Sequence, residues 1–295
     1  MPPSSPCGFL VLHKPAGLTS HGCVSRVRRA LGLRRVGHGG TLDPAVTGVL
    51  PIAVGPATRL LPYLSGDKAY RGVIQLGVRT SSDDLEGEVL ERRSPGPIEP
   101  AALEAALAGF RGLIEQVPPQ VSAVHVNGER AYARARRGEA SALAARPVTI
   151  SSLELLAYDG ATGRLELAVG CSAGTYIRAL ARDLGERLGC GGCLAQLERT
   201  AALGFDLRQA IPLDALDAGP PPLIDPLVPL AQLPRHQLQA STLADWRCGR
   251  ALAAAAPLAA AAVVAVVAPD GTLAGIAHAD GNGLLRPKLV FDAAG

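Results

Sequence analysis

Lysine and aromatic residues are scarce in this 295-residue chain: Lys14, Lys68 and Lys288 are the only lysines among 29 basic residues, and Phe, Trp and Tyr together make up 3%. The positive charge is therefore almost entirely guanidinium. That bias suits bidentate phosphate contacts, although a GC-rich genome is the plainer explanation. The net charge, 29 − 26 = +3, is too small to imply nucleic-acid binding until the placement of the charge is known. Apolar residues at 48% supply a sizeable core and exclude disorder as the overall state.

Cysteine is sparse as well. Six thiols (Cys7, Cys23, Cys171, Cys190, Cys193, Cys248), with no basic-then-apolar leader at the start of the chain, fit a reducing cytoplasm better than a disulfide scaffold. Cys190-Gly-Gly-Cys193 is a lone CxxC; without a second pair or a thioredoxin-like context it reads as a glycine turn, and no metal site is expected. The uncharged stretch from Ala251 to Ala268 is alanine-rich, contains Pro257 and runs into a Pro-Asp-Gly turn, so no membrane span is expected. GxxxxGK[ST] and a strand-bound GxGxxG are both missing, as is any repeat period.

Periodicity predicts an α+β fold around a mixed, largely antiparallel sheet. A helix starts at Ser20 as its cap, with Val24, Val27 and Leu31 inward, and ends at Gly32. A strand runs from Lys68 to Val78 with Tyr70, Ile74, Leu76 and Val78 on one face, and a helix opens at Pro100 with Leu103, Ala106, Leu107 and Phe110 inward. Alternation from Leu165 to Cys171 gives another strand, and Ile177, Leu180, Ala181, Leu184 and Leu188 line a helix ending at Gly189. Seven prolines between Pro212 and Pro234 mark an extended linker. A small β-rich domain follows, with a hairpin from Val263 to Ala277.

The most informative segment is Gly37-His38-Gly39-Gly40-Thr41-Leu42-Asp43-Pro44. Its glycines let backbone approach a bulky ligand, and Pro44 restricts the acidic residue before it. A carboxylate serves as nucleophile or base when a partly dry pocket and a cationic partner keep it ionised. Tyr176 and Arg178, in CSAGTYIRAL, fall in the first turn of a helix entered from glycine, and Tyr70 is a conspicuous aromatic on a strand. Each of these residues taken alone reads as an ordinary turn, a solvated helix charge or core. Arg26, Arg28, Arg29, Arg34 and Arg35 precede the glycine loop, and Arg130, Arg134, Arg136 and Arg137 form a second cluster.

Taken together, GFLVLHKPAGLTSH, GHGGTLDPAVTGVLPIAVGPATRLL, KAYRGVIQLGVRTSSDDLEGEV, FRGLIEQVPPQVSAVHVNGERAYARARRGE and CSAGTYIRALARDLGERLG resemble, in order, the blocks of the bacterial TruB family of tRNA pseudouridine synthases. The resemblance covers essentially the whole catalytic part and continues weakly to GLLRPKLVF. It implies a pseudouridine synthase catalytic domain at 1–232 with an RNA-binding insertion at about 120–147, and a small PUA-like RNA-binding domain at 233–295. By that likeness Asp43 is the catalytic aspartate, Tyr70 stacks on the flipped uracil and Tyr176 packs at the base or ribose. Arg178 pairs with Asp43, Leu197 closes the pocket, and His38 enters the RNA loop as the base leaves. The chain departs from the family pattern at His13 (usually Asp), Gly39 (commonly Thr), Val46 (Ala) and Val121 (an aromatic), which touches loop packing.

The implied reaction converts uridine 55 of the tRNA T-loop to pseudouridine by breaking the N1 glycosidic bond and remaking it at C5, which calls for no cofactor. Asp43 adds to C1′ or C6, or takes the C2′ proton; the residues do not choose among these. The arginine clusters then read as phosphate contacts. The implied enzyme is a cytoplasmic monomer acting on tRNA without membrane or guide RNA. Three rival readings exist: a guide-RNA-dependent relative, disfavoured by the short, weakly charged tail; a silent RNA-binding or RNA-folding module, disfavoured by Asp43 with Arg178; and a carbohydrate-active enzyme using Asp83, Asp84 and Glu86, disfavoured because that acidic turn reads as a structural loop and leaves the arginine clusters without a purpose.

Overall fold

The computed structural model describes residues 6–122, 125–126, 129–130, 134, 137 and 143–291. The strands are β1 (Gly8–Lys14), β2 (Val36–His38), β3 (Thr47–Val54), β4 (Lys68–Leu76), β5 (Val78–Thr80), β6 (Val89–Arg92), β7 (Gly112–Gln116), β8 (His125–Val126), β9 (Glu129–Arg130), β10 (Arg146–Asp159), β11 (Arg164–Cys171), β12 (Gly192–Ala202), β13 (Phe205–Asp206) and β14 (Ile211–Pro212). Then come β15 (Arg235–Gln237), β16 (Leu252–Ala253), β17 (Val263–Val267), β18 (Leu273–Ala279) and β19 (Leu284–Val290). The helices are α1 (Ser20–Leu31), α2 (Pro100–Ala108), α3 (Ile177–Arg187) and α4 (Leu243–Arg247).

One large sheet runs β14-β1-β3-β12-β4-β11-β10-β7, with β2 on β3 and β13 on β12. Its ladders are antiparallel except β1–β14 and β3–β12. Helices α2 and α3 cover one face, where Tyr70, Ile74, Leu165, Leu167 and Val169 meet Leu103, Leu107, Leu180 and Leu184. A second core packs Val24 and Val27 of α1 against Leu10, Leu50 and Ile52.

Local details differ from the sequence expectation. Thr19, not Ser20, caps α1 by accepting from the Gly22 N–H, which releases the buried Ser20 hydroxyl for another contact. Tyr176 stands at the N-cap of α3, one residue before the helix. The strand from Lys68 breaks at Gly77, whose φ of 81° turns the chain into β5. Phe110 lies beyond the end of α2.

The proline-rich segment is laid along the large sheet: Ile224 exchanges two backbone hydrogen bonds with Phe9, and Leu230 has no exposed surface. A five-stranded sheet, β15-β17-β18-β19-β16, follows it. One side of that sheet buries Trp246, whose indole N–H donates to the Ala274 carbonyl at 2.9 Å. On the other, Ala265 and Ile276 share a core with Phe9, Val49, Leu60 and Phe205. Arg59 of the catalytic part donates to the Val290 carbonyl and sits over the Phe291 ring. Among the described residues no helix is long and apolar enough to cross a membrane.

Candidate active site

Asp43 lies in the loop between β2 and β3, and that loop is fastened from below. The Leu42 N–H donates to Ser20 Oγ at 2.8 Å, and the same hydroxyl donates to the Leu42 carbonyl at 3.1 Å. Lys14, fully buried, donates to the carbonyls of Pro15, Pro44 and Val46 at 2.8, 3.0 and 2.7 Å. Burial lowers its pKa, with Cys23 and Asp43 opposing that shift. Arg199, also fully buried, donates from Nε to the Val49 carbonyl and from Nη2 to the Gly40 carbonyl, tying β12 to both ends of the loop. β3 approaches β12 this closely only because residue 48 is glycine: its φ is 101°, and a Cβ there would stand 2.2 Å from the Arg199 carbonyl oxygen.

Arg178, the second residue of α3, is the hub. Its Nη2 donates to Asp43 Oδ2 at 3.0 Å and to the Val121 carbonyl at 2.9 Å. Its Nη1 donates to the Ser82 carbonyl at 3.0 Å and lies 3.4 Å from Asp84 Oδ2. The Arg178 side chain is 10% exposed and that of Asp43 53%, so the arginine anchors while the carboxylate reaches open space. The start of α3 is set by Gln116, whose side-chain amide bonds both polar groups of Tyr176's backbone.

The open space is a cleft of about 520 Å³ lined by Asp43, Val46, Arg71, Arg178, Leu197 and Glu198, among others. It forms where β12 changes partner along one edge. Leu194 pairs with the Asp83–Leu85 segment and Glu198–Arg199 with Thr47–Gly48, while Ala195–Leu197 between them border the cleft with no strand among the described residues on that side. Its lining also includes the Arg71–Glu166 ion pair and Glu198, whose carboxylate lies 2.9 Å from His13 Nε2. A carboxylate held by a buried guanidinium, facing an aliphatic wall and an open strand edge, can attack a bound nucleoside or take a proton from it while the strand edge hydrogen-bonds a flat polar ring.

Among the residues singled out from sequence, Asp43, Arg178 and Leu197 meet in this cleft. Tyr70, Tyr176 and His38 are outside its lining. Tyr70 is 7% exposed, packed in the core under α3. Burial raises its pKa and the neighbouring Arg199 opposes this, so it stays a neutral phenol at working pH. Tyr176 is half-buried. His38 ends β2 opposite Ile52; burial lowers its pKa, with Arg199 adding to the effect.

The first arginine cluster divides. Arg26 pairs with Asp217 at 2.9 Å and Arg28 donates to the Val36 carbonyl at 2.8 Å, both structural bonds. Arg35 is exposed and donates to Thr58 Oγ1, while Arg29 and Arg34 are exposed, their side chains without a partner among the described residues. In the second cluster Arg134 is half-buried and Arg137 exposed, the Arg137 N–H bonding the Arg134 carbonyl. The Arg130 side chain and Arg136 lie outside the described residues, as does half of the expected insertion at 120–147.

The sequence reading missed Ser20, Lys14, Gln116 and Arg199 as supports, because each acts through partners far away in the chain. The acidic turn, read from sequence as a structural loop, has Asp84 facing Arg178 and Asp83 facing Arg182 at 2.8 Å, so neither is a free member of a carboxylate pair. The departures from the family pattern are accommodated. His13 pairs with Glu198, a Cβ at Gly39 would meet Leu203 at 2.0 Å, and Val121 contributes only its carbonyl to Arg178.

Comparison with known proteins matches residues 28–177 to the family described as TruB family pseudouridylate synthase (N terminal domain), and residues 234–291 to Pseudouridine synthase II TruB, C-terminal. The chain is 66% identical over 291 residues to tRNA pseudouridine synthase B of Parasynechococcus marenigrum (strain WH8102), covering 98% of this chain and 99% of that one. It is 59% identical to the protein of the same name from Synechococcus sp. (strain WH7803), covering 99% and 100%. Among solved structures, an H/ACA RNP bound to a substrate RNA containing 2'-deoxyuridine superposes with a TM-score of 0.74 at 24% identity, covering 96% of this chain and 84% of that one, which shows the shared fold.

Proposed function

Because the chain belongs to the TruB family of pseudouridylate synthases, and so isomerises uridine in tRNA, we propose that its target is uridine 55 of the T-loop, flipped out of its stack into the cleft beside Asp43. The observation that carries this reading is the Arg178–Asp43 contact at 3.0 Å, in which a buried guanidinium holds a solvent-reaching carboxylate in place. Asp43 then attacks C1′ or C6, or removes the C2′ proton. The detached uracil must turn before C5 bonds to C1′, after which C5 gives up its proton and N1 carries one in place of the broken glycosidic bond; the Leu197 wall and the open edge at Ala195–Leu197 hold the ring meanwhile. Tyr70 gives the base a stacking surface when the cleft opens toward it, a contact worth roughly 1 to 3 kcal/mol. Tyr176 packs at the base or ribose, and His38 takes the place the base vacates.

Phosphates of the T-arm fall to Arg29, Arg34 and Arg35, and to the second cluster on the insertion. The enzyme acts as a cytoplasmic monomer without guide RNA or cofactor, the rearrangement being redox-neutral within one nucleoside. The test is to incubate the protein with an unmodified tRNA transcript, with and without a chelator, and map pseudouridine. Product at position 55 in both arms is expected. Product elsewhere, or activity that only a transition metal restores, overturns the reading.

A further inference from the structure

Successive side chains of an extended chain point to opposite sides. Asp83 and Asp84 are adjacent, yet both carboxylates reach the same helix: Asp84 Oδ2 lies 3.4 Å from Arg178 Nη1, and Asp83 Oδ2 lies 2.8 Å from Arg182 Nη1. The backbone explains how. Asp83 has a φ of 61°, the left-handed region that non-glycine residues rarely adopt. The turn is pinned on its other side by β12, where the Leu194 N–H donates to the Asp83 carbonyl at 2.9 Å and the Leu85 N–H to the Leu194 carbonyl at 3.0 Å.

Arg178 and Arg182 are four residues apart on α3, so they share a face and stand one turn apart. Each spans the same two segments. Arg178 joins Ser82 and Asp84 to the Val121 carbonyl, and Arg182 joins Asp83 to the Val117 carbonyl at 2.8 Å, with Asp183 taking its Nε. The result is a ladder of two rungs, and only the upper one includes Asp43.

We propose that the lower rung, Asp83 with Arg182, positions the upper one: it sets the acidic turn so that the Ser82 carbonyl and the Asp84 carboxylate occupy Arg178 Nη1 and leave Nη2 aimed at Asp43. Neither residue touches the cleft; Asp83 and Arg182 act through Arg178. The arrangement is costly in itself, since Asp83 holds a strained backbone and the carboxylate and guanidinium are largely withdrawn from water. Geometry at Arg178 is what that conformation secures.

The inference rests on Asp43 and Arg178 being the reacting pair, and its test separates the two. Asp83→Gly removes the carboxylate while relieving the left-handed backbone, so stability is not what it sacrifices. In the full chain with unmodified tRNA transcript, Asp83→Gly and Arg182→Met are expected to bind RNA within about twofold of the parent, yet their single-turnover rate at saturating RNA falls by about tenfold or more. Arg182→Lys, which keeps a charge facing Asp83, recovers part of that rate, and Asp83→Gly melts within a few degrees of the parent. An Asp83→Gly protein turning over at the parental rate overturns the lower rung's role, as does a rate loss that saturating RNA repairs. Asp43→Asn is run beside them: full turnover there overturns the reacting pair itself, whatever the rung variants do.

Discussion

Gln116 holds Tyr176 by both polar groups of its backbone: its Oε1 accepts the Tyr176 N–H at 2.8 Å and its Nε2 donates to the Tyr176 carbonyl at 3.2 Å. The amide is 2% exposed and stands at the end of β7, so a strand edge fixes where α3 begins and hence where Arg178 stands. Gln116→Leu keeps the volume and strands two backbone groups. Unfolding free energy should fall by about 1 to 3 kcal/mol in a urea titration, with the single-turnover rate falling too. Gln116→Glu, which keeps the acceptor alone, should lie between. A Leu variant as stable and as fast as the parent would show that the clamp is incidental.

Charge at position 43 should matter to chemistry and little to binding. Asp43→Asn preserves size and abolishes pseudouridine formation, while RNA affinity, resting on phosphate and stacking contacts, changes little. Arg178→Ala removes the partner that holds the carboxylate, so raising RNA concentration should not restore turnover. An Asp43→Asn protein turning over within about tenfold of the parent would show that the carboxylate is dispensable.

The divided arginine cluster predicts divided phenotypes. Arg29 and Arg34, exposed and with no side-chain partner among the described residues, should behave as phosphate contacts: each change to Ala lowers the slope of log K against log salt by about 0.7 to 0.9, and saturating RNA restores the single-turnover rate. Arg26→Ala and Arg28→Ala break the bonds to Asp217 and Val36, so they should lower the melting temperature and leave the salt slope nearly unchanged. The reverse pattern in a salt titration would sink the assignment.

Acid titration offers a check on Asp83. Burial raises its pKa, and the opposing pull of Arg182 and Arg178 does not cancel that; Asp183, raised by burial beside Arg182, faces the same arginine. A carboxyl whose folded pKa lies above its unfolded value binds more protons in the folded state between the two. Ionising Asp83 therefore costs stability as pH rises from about 4 through the folded value. Asp83→Asn lacks this component, so stability of the parent relative to the variant should drop across that window and then level off. Denaturant midpoints from about pH 3.5 to 7 measure it, and parallel profiles would contradict the shift.

Local sequence was enough to mark the main elements. Period-2 and period-3.6 patterns mark the strand at Leu165–Cys171, the helix from Ser20 to Gly32 and the helix ending at Gly189. The glycine loop and Pro44 drew attention to Asp43, but taken alone they read as an ordinary turn, and its role came from the order of several blocks along the chain. Such periodic signals are legible because they depend on neighbours within a few positions. The remaining features came from packing. It put Arg178 of α3 against Asp43 of the β2–β3 loop, and it withdrew Tyr70 into the core by pairing β4 with β12 and covering it with α3. Arg26 and Arg28 became structural bonds while the Arg29 side chain stayed exposed, a division invisible in four neighbouring positions of one helix. The turn at Asp83 became a support for Arg178, because an acidic run carries no record of the helix, some 95 residues later, that will face it. These outcomes depend on contacts across the sheet, where geometry and not local spacing chooses each partner.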